Sequence, residues 1–495
     1  MSGVWSDARP PVRHRRIRGG EVAAPDPVAW RRQRAAATPV APSVPAPRGL
    51  DIDGMFALAF FLSLLFIAQI ATLGAAMVAG LAPLYLFTRR KGLGRVLLRR
   101  GFLLLVPAIA LLSVVWSEAP AASLRYAVEL AVTVLVGLLL SSAASQESVI
   151  RGLTLAFLIY VIVARIGGGT VGIGVGAGGE AFSGLTSSKN LLADIASSGM
   201  IVSLAAVMLA LQSRAWIWLG IGALAIGLDL FTVISARSAG ALLGLGMGLG
   251  AMLAITPLIY AGKVFRGWVT CAVALCLIVG GLFYRSLSAG LIELGANLFD
   301  KDPTLTGRTY LWYRAADLIR EKPMLGRGYY AFWRQGNPDA EGLWQYFGID
   351  SRSGFTFHNT LVDILVTLGW LGAVVILAVV LIGMIALVRR FVARPSLSLV
   401  FWISLWLYQL ARTPIETIGI APFYFSSVLA FAALGAGLRP MRSWPAGWSR
   451  SFAKPPVLRL RALTADAASA DFARLGYTDA GGAAHRTAGP PRRIL

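Results

Sequence analysis

His358 stands where a polar, charged segment meets a long apolar run, in SGFTFHNTLVDILVTLGWLG (353–372). The other two histidines, His14 and His485, lie in polar tails. A neutral imidazole near pH 7 can take a proton from an attacking hydroxyl. The same position also suits an interface residue or the neighbour of a helix cap, with Asn359 as the cap. Asp363 is five residues on, too far round a helix to be assumed a partner.

Other ionisable residues fall at the ends of apolar runs. They are Arg237 in SARSAG, Arg412 with Glu416 in ARTPIE, Arg125 with Glu129, Arg165, and Lys189 with Asp194. The polar stretch before His358 adds Arg308, Arg314 and Arg327. Ionisable side chains at membrane depth are costly and default to functional candidates. Guanidinium groups bind phosphate bidentately and stay charged at any working pH. Gathered at one face of a lipid-embedded bundle, they suit a polyanion held at the membrane surface. A lipid-linked pyrophosphate is anchored at that depth. Each also has a structural reading: Arg125 with Glu129, and Arg412 with Glu416, have the spacing of helical ion pairs. Arg165 and Arg237 have room to snorkel to headgroups.

The elements that must position these residues are membrane helices. Hydrophobic residues make up 56% of the chain and charged residues 14%, against about 25% charged in soluble domains. Apolar runs long enough to cross a hydrocarbon core of about 30 Å recur along the chain. The expected fold is all-α, a polytopic transmembrane bundle of about twelve spans: 54–73, 74–88, 102–116, 123–142, 149–166, 189–211, 216–234, 239–261, 267–284, 358–388, 396–411 and 418–437. The break near Gly74 is the least defined. Residues 1–53 form a basic, disordered tail, 54–284 hold spans one to nine, 285–357 a large external loop, 358–437 the last three spans, and 438–495 a second basic tail.

Sidedness follows from Lys and Arg. The first tail carries eight arginines between positions 9 and 34, and TRRKGLGRVLLRR (88–100) holds six basic residues and no acid. Arg214, Lys263 with Arg266, and Arg389, Arg390 and Arg394 fall on the same side when spans alternate. Both termini are therefore expected in the cytoplasm, and residues 285–357 on the opposite, periplasmic face. The net charge of +22 is explained by cytoplasmic loops and tails beside anionic lipid, with no need for nucleic acid. The external loop has nine Lys/Arg against eight Asp/Glu and is rich in Tyr, Trp and Phe, which argues for structure. Within it, TYLWYRAADLIREK (309–322) has Leu311, Ala315 and Leu318 on one helical face, a pattern that suits a helix lying on the membrane.

Several patterns carry no chemistry. The glycines of GGGTVGIGVGAGG do not follow a strand or open a helix with a basic partner, which excludes a dinucleotide fingerprint. Asp300-Lys301-Asp302 precedes a proline and reads as a turn. Cys271 and Cys276 sit in one apolar run and read as packing thiols. No metal-ligand spacing and no nucleophile elbow are present.

Five segments in order carry a resemblance: SSKNLLA (187–193), SARSAG (235–240), GRTYLW (307–312), PMLGRGYYAFW (323–333) and HNTLVDILVTLGWLG (358–372). In type and order they resemble the O-antigen ligase and polysaccharide polymerase superfamily of bacterial envelope glycan assembly. The resemblance implies a membrane glycosyltransferase that uses an undecaprenyl-pyrophosphate-linked glycan donor and a glycan acceptor, without metal, nucleotide or other cofactor. It implies catalytic roles for Arg237, Arg308 and His358. Gly307, Trp312, Gly326, Gly328 and Asn359 would shape the loop. Arg327, Arg412, Asn359, Trp312 and Lys189 are the candidate substrate contacts. Ligation to lipid A-core or protein is a rival within the class. A secondary transporter is a rival outside it, weighed against by the absence of an internal repeat and by polar residues at span ends rather than the midplane.

Overall fold

The computed structural model describes residues 49–174, 177–282, 308–352 and 354–438. Most of both expected tails, Gly307 and the Asp300-Lys301-Asp302 triplet lie outside the described residues. The described chain is all-α apart from one hairpin. The first helices are α1 (Ile52–Leu65), α2 (Ile67–Arg100), α3 (Leu105–Leu112, extended by 3-10 turns on both sides), α4 (Pro120–Ser142) and α5 (Gln146–Gly167). The hairpin of β1 (Gly169–Gly174) and β2 (Ala177–Gly184) follows. Then come α6 (Lys189–Ser213), α7 (Trp216–Ser235), α8 (Ala239–Ile255) and α9 (Lys263–Leu282). Two loop helices, α10 (Arg308–Glu321) and α11 (Pro338–Phe347), precede α12 (Thr360–Ala393), α13 (Leu397–Arg412) and α14 (Phe425–Gly437). Among the described residues, eight helical segments are long and apolar enough to cross a membrane, and α1, α13 and α14 are shorter apolar helices. The protein is a polytopic membrane bundle.

Helix ends are fixed by the side chains the sequence supplies. Asp51 caps α1 by accepting from the Asp53 and Gly54 amides, and Ser145, Ser188 and Ser396 cap α5, α6 and α13 in the same way; each satisfies donors a helix start leaves open. At one end of the bundle, Asp53 accepts from the Ala144 amide (2.8 Å) and Arg100 donates to Ser141 (2.8 Å). The site lies at the other end, where the loop helices dock.

Several expectations change. The first break falls at Phe66, between α1 and α2, and a kink follows inside α2 at Ala71 (φ 41°), three residues before Gly74. The apolar face of α10 does not lie on lipid: Leu311, Ala315 and Leu318 are buried with Phe332, Ala340, Leu343, Trp344, Phe357 and Val366. The loop thus has its own aromatic core, seated on α12. The glycine-rich segment forms an antiparallel hairpin, and Arg165 stacks between Phe182 and Phe231, 4.3 and 4.2 Å from their centroids. Cys271 and Cys276 are exposed along the apolar helix α9 and not packed.

The expected span 358–388 is broken rather than plain. At Gly369 the backbone turns left-handed (φ 62°). The loop segment 323–328 fills the gap: the Arg327 and Gly328 amides donate to the Val366 and Thr367 carbonyls (2.9 and 2.8 Å), and the Trp370 and Leu371 amides donate to Pro323 and Met324 (2.9 and 3.1 Å). Irregular backbone at membrane depth survives only where such pairing satisfies it. A Cβ on Gly326 or Gly369 would meet backbone atoms at 2.5 and 2.4 Å, so the glycines of PMLGRG and TLGW permit this close approach.

Candidate functional site

His358 ends the loop one residue before the cap of α12. Its backbone is left-handed (φ 49°), a conformation that side-chain-bearing residues rarely hold without support. The support is visible. Asn359 caps α12 by accepting from the Val362 amide (3.1 Å) and donates to the Pro414 carbonyl (3.1 Å). The Thr360 amide donates to Thr413 (2.9 Å), and the Thr360 hydroxyl donates to the Glu416 carbonyl (2.9 Å). Trp312 of α10 donates its indole N–H to the Phe357 carbonyl (2.8 Å). Asp363 receives the Thr417 hydroxyl and the Phe357 amide; it braces the chain on both sides of the imidazole rather than touching the ring.

The ring itself meets Glu416, with Nδ1 3.1 Å from Oε2. The other oxygen of that carboxylate accepts from Arg308 at 3.2 Å, and Arg308 also donates to the Ile415 carbonyl (2.7 Å). The first residue of α10 and the residue before the cap of α12 are thus joined through one carboxylate between α13 and α14. Burial would raise the Glu416 carboxyl. The hydrogen bond and charge of His358, with the charges of Arg308 and Arg412, outweigh it and hold Glu416 below the ordinary carboxylate range. An ionised carboxylate only accepts, so Nδ1 donates to it, and in the neutral ring that tautomer leaves a lone pair on Nε2. The imidazole is 27% exposed, open enough to meet a hydroxyl.

Arg237 lies on the turn between α7 and α8, also left-handed (φ 47°) and exposed. Its side chain makes no ion pair or hydrogen bond among the described residues. The turn is tied in by Ser238, which donates to Asn190 at 2.9 Å, beside buried Lys189 at the start of α6. A Cβ on Gly240 would lie 2.6 Å from the Ile415 side chain. Arg237 therefore sits on a corner packed against the residue whose carbonyl Arg308 holds.

Arg412 and Arg327 do other work. Arg412 is 3% exposed. It pairs with Asp194 and donates to the Tyr408 hydroxyl at 2.9 Å, while Tyr408 and Tyr424 donate to the same Asp194 at 2.7 and 2.9 Å. This knot fastens α6, α13 and the start of α14 directly beneath Glu416. The side chain of Arg412 thus takes Asp194 where the helical spacing offered Glu416. Arg327 pairs with Glu118 (2.7 Å) and Glu321, and Lys322 joins Glu118 at 2.8 Å. Burial would raise the Glu118 carboxyl, yet the Lys322 hydrogen bond and the charges of Arg327 and Lys322 hold it below the ordinary range. Arg314 is held by Asp317 and Asp339. Arg125 keeps its helical pair with Glu129 at 3.0 Å.

Glu416 was legible only as a neighbour of Arg412. Its real partners lie 58 and 108 positions away, and no local pattern signals that. Asp194 was noted beneath Lys189, but nothing in sequence pointed it at Arg412.

The O-antigen ligase family matches this chain over residues 224–377, from α7 through Arg237, the loop and His358 into α12. Over a longer stretch, the exopolysaccharide production protein ExoQ of Rhizobium meliloti (strain 1021) is 31% identical across 427 residues, 82% of this chain and 94% of that protein.

Proposed function

The chain belongs to the O-antigen ligase and polysaccharide polymerase family, and from that premise we propose that it is a glycosyltransferase polymerising lipid-linked oligosaccharide repeats. The donor is an undecaprenyl-pyrophosphate-linked glycan in the inner membrane, presented at the periplasmic face. The Lys/Arg distribution supports that face, with both termini in the cytoplasm. Exopolysaccharide production, the role that the 31%-identical relative is named for, favours polymerisation over ligation to lipid A-core or protein.

An acceptor sugar hydroxyl gives its proton to His358 Nε2 and attacks the anomeric carbon. The bond from that carbon to the pyrophosphate oxygen breaks, and the lipid pyrophosphate leaves with the electron pair. One displacement inverts the anomeric centre. Arg237, and the N–H groups that Arg308 does not spend on Ile415 and Glu416, stabilise the charge growing on the leaving group. Glu416 fixes the imidazole tautomer and steadies its positive charge after proton transfer, as a carboxylate does in a hydrolase triad. Arg412, Arg327, Trp312 and Asn359 position these groups. The observation that carries this reading is the meeting of Arg308 and His358 on one carboxylate.

A deletion strain complemented with Arg237→Gln or His358→Gln tests it. Both variants are expected to reach the membrane, to yield no polymer and to accumulate lipid-linked single repeats. Polymer at the parental level from both would remove the assignment.

A further inference from the structure

A run of aromatic rings leads from the loop surface to His358. Tyr310 of α10 and Tyr346 of α11 lie 4.3 Å apart between centroids. Tyr346 meets Phe347 at 5.0 Å, Phe347 meets Phe355 at 5.4 Å, and Phe355 meets the His358 ring edge-on at 5.4 Å. Rings of a packed loop core should be buried, as Trp344, Phe332 and Phe357 are. These four are less so: Tyr310 is 38% and Tyr346 62% exposed, and Phe347 and Phe355, packed against that core, are half-buried. Neither tyrosine hydroxyl has a hydrogen-bond partner among the described residues. The opposite faces of α10 and α11 are buried together, so the exposed rings are held on a rigid base.

We propose that Tyr310, Tyr346, Phe347 and Phe355 form an acceptor subsite, along which a neutral oligosaccharide lies with its terminal hydroxyl at His358. A pyranose has an apolar C–H face and a rim of hydroxyls. The negative face of an aromatic ring attracts C–H groups, and a tyrosine adds a hydroxyl for the rim. Rigid, amphipathic tyrosines suit such contacts because little freedom is lost on binding. The donor end, by contrast, is recognised by guanidinium groups. Two rings separate Tyr346 from the imidazole, so one sugar cannot span the run. The ligand is an oligosaccharide, as a growing glycan chain would be. The assignment of an acceptor, rather than any glycan, rests on the transferase reading above.

The test uses the full-length protein in nanodiscs and a free, lipid-less oligosaccharide released from the producing bacterium's own polysaccharide. Saturation-transfer NMR should show contact with the wild type. Tyr346→Ala should bind roughly tenfold more weakly, the scale of one stacked ring, Tyr310→Ala/Tyr346→Ala more weakly still, and Tyr346→Phe close to the wild type. In transfer assays the alanine variants should raise the acceptor KM and leave the donor KM unchanged. No contact with the wild type, or equal contact with the double variant, overturns the subsite; rings that merely anchor the loop at the lipid interface would give that result. A wild type that binds the glycan through these rings yet transfers nothing sinks the transferase reading and leaves the glycan subsite intact.

Discussion

An imidazole serves as a base at one nitrogen only when something fixes the hydrogen on the other. In the proposed site that group is Glu416, whose Oε2 stands 3.1 Å from Nδ1. Glu416→Gln keeps the shape but can donate as well as accept, so the tautomer is no longer fixed. Product formation should fall by about 10²–10⁴-fold, the usual range for losing a positioned base. A single-turnover rate equal to the wild type would remove Glu416 from the mechanism. Asp194 and Arg412 belong to stability instead. Removing one partner of a buried ion pair costs about 3–5 kcal/mol, so Asp194→Asn should lower the melting temperature in detergent sharply. Asp194→Leu/Arg412→Met should recover much of the loss, because two apolar side chains leave no uncompensated charge. At this scale the sequence offered the candidates and hid their partners. His358 was visible as a lone ionisable ring at a span boundary and Arg308 as a cation in the loop. Their meeting on Glu416 depends on α12 and α13 lying side by side.

The loop segment 323–328 and the break in α12 at Gly369 form one device. Each supplies the backbone groups the other lacks, and the pairing sets where the residues leading to His358 begin. Gly369→Ala needs a left-handed φ and places its Cβ 2.4 Å from Met324, so it should destabilise the seat of the loop. Limited proteolysis should cut the loop of this variant faster than that of the wild type, and polymer should fall with it. The latch around Glu118 adds a pH dependence. Its folded carboxyl is held below the unfolded value of about 4.3, so its stabilisation is present above that pH and is lost as pH falls through the folded value. Thermal unfolding of the wild type should therefore weaken in acid more than that of Glu118→Gln; identical profiles would contradict the latch. Most spans could be read from apolar runs, since length and hydropathy fix them. The hairpin and the broken helix could not. The broken helix depends on backbone pairing with a distant segment and the hairpin on pairing of two glycine-rich strands, and in sequence the glycines that allow it look like loop or ordinary helix glycines.

The described residues place exposed Arg237, the His358–Glu416 pair and the docked loop at one end of a polytopic bundle, and the Asp53 and Arg100 contacts at the other. Sidedness can be tested separately from chemistry. With Cys271 and Cys276 first replaced by alanine, single cysteines at positions 237 and 346 should react with a membrane-impermeant maleimide in intact cells, and one at position 20 only after permeabilisation. The reverse pattern would put the site in the cytosol. The class follows from composition alone, because lipid imposes its own length rule, and the charge rule gives sidedness as an expectation; the partners of the proposed reacting groups required the fold. The most direct measurement is made on protein reconstituted in liposomes with a purified polyprenyl-pyrophosphate-linked repeat unit, with products weighed by mass spectrometry. The wild type should give glycans lengthened by whole repeats, with one polyprenyl pyrophosphate released per bond formed, and His358→Gln should give neither. No extension by the wild type, or unchanged extension by His358→Gln, would contradict the account.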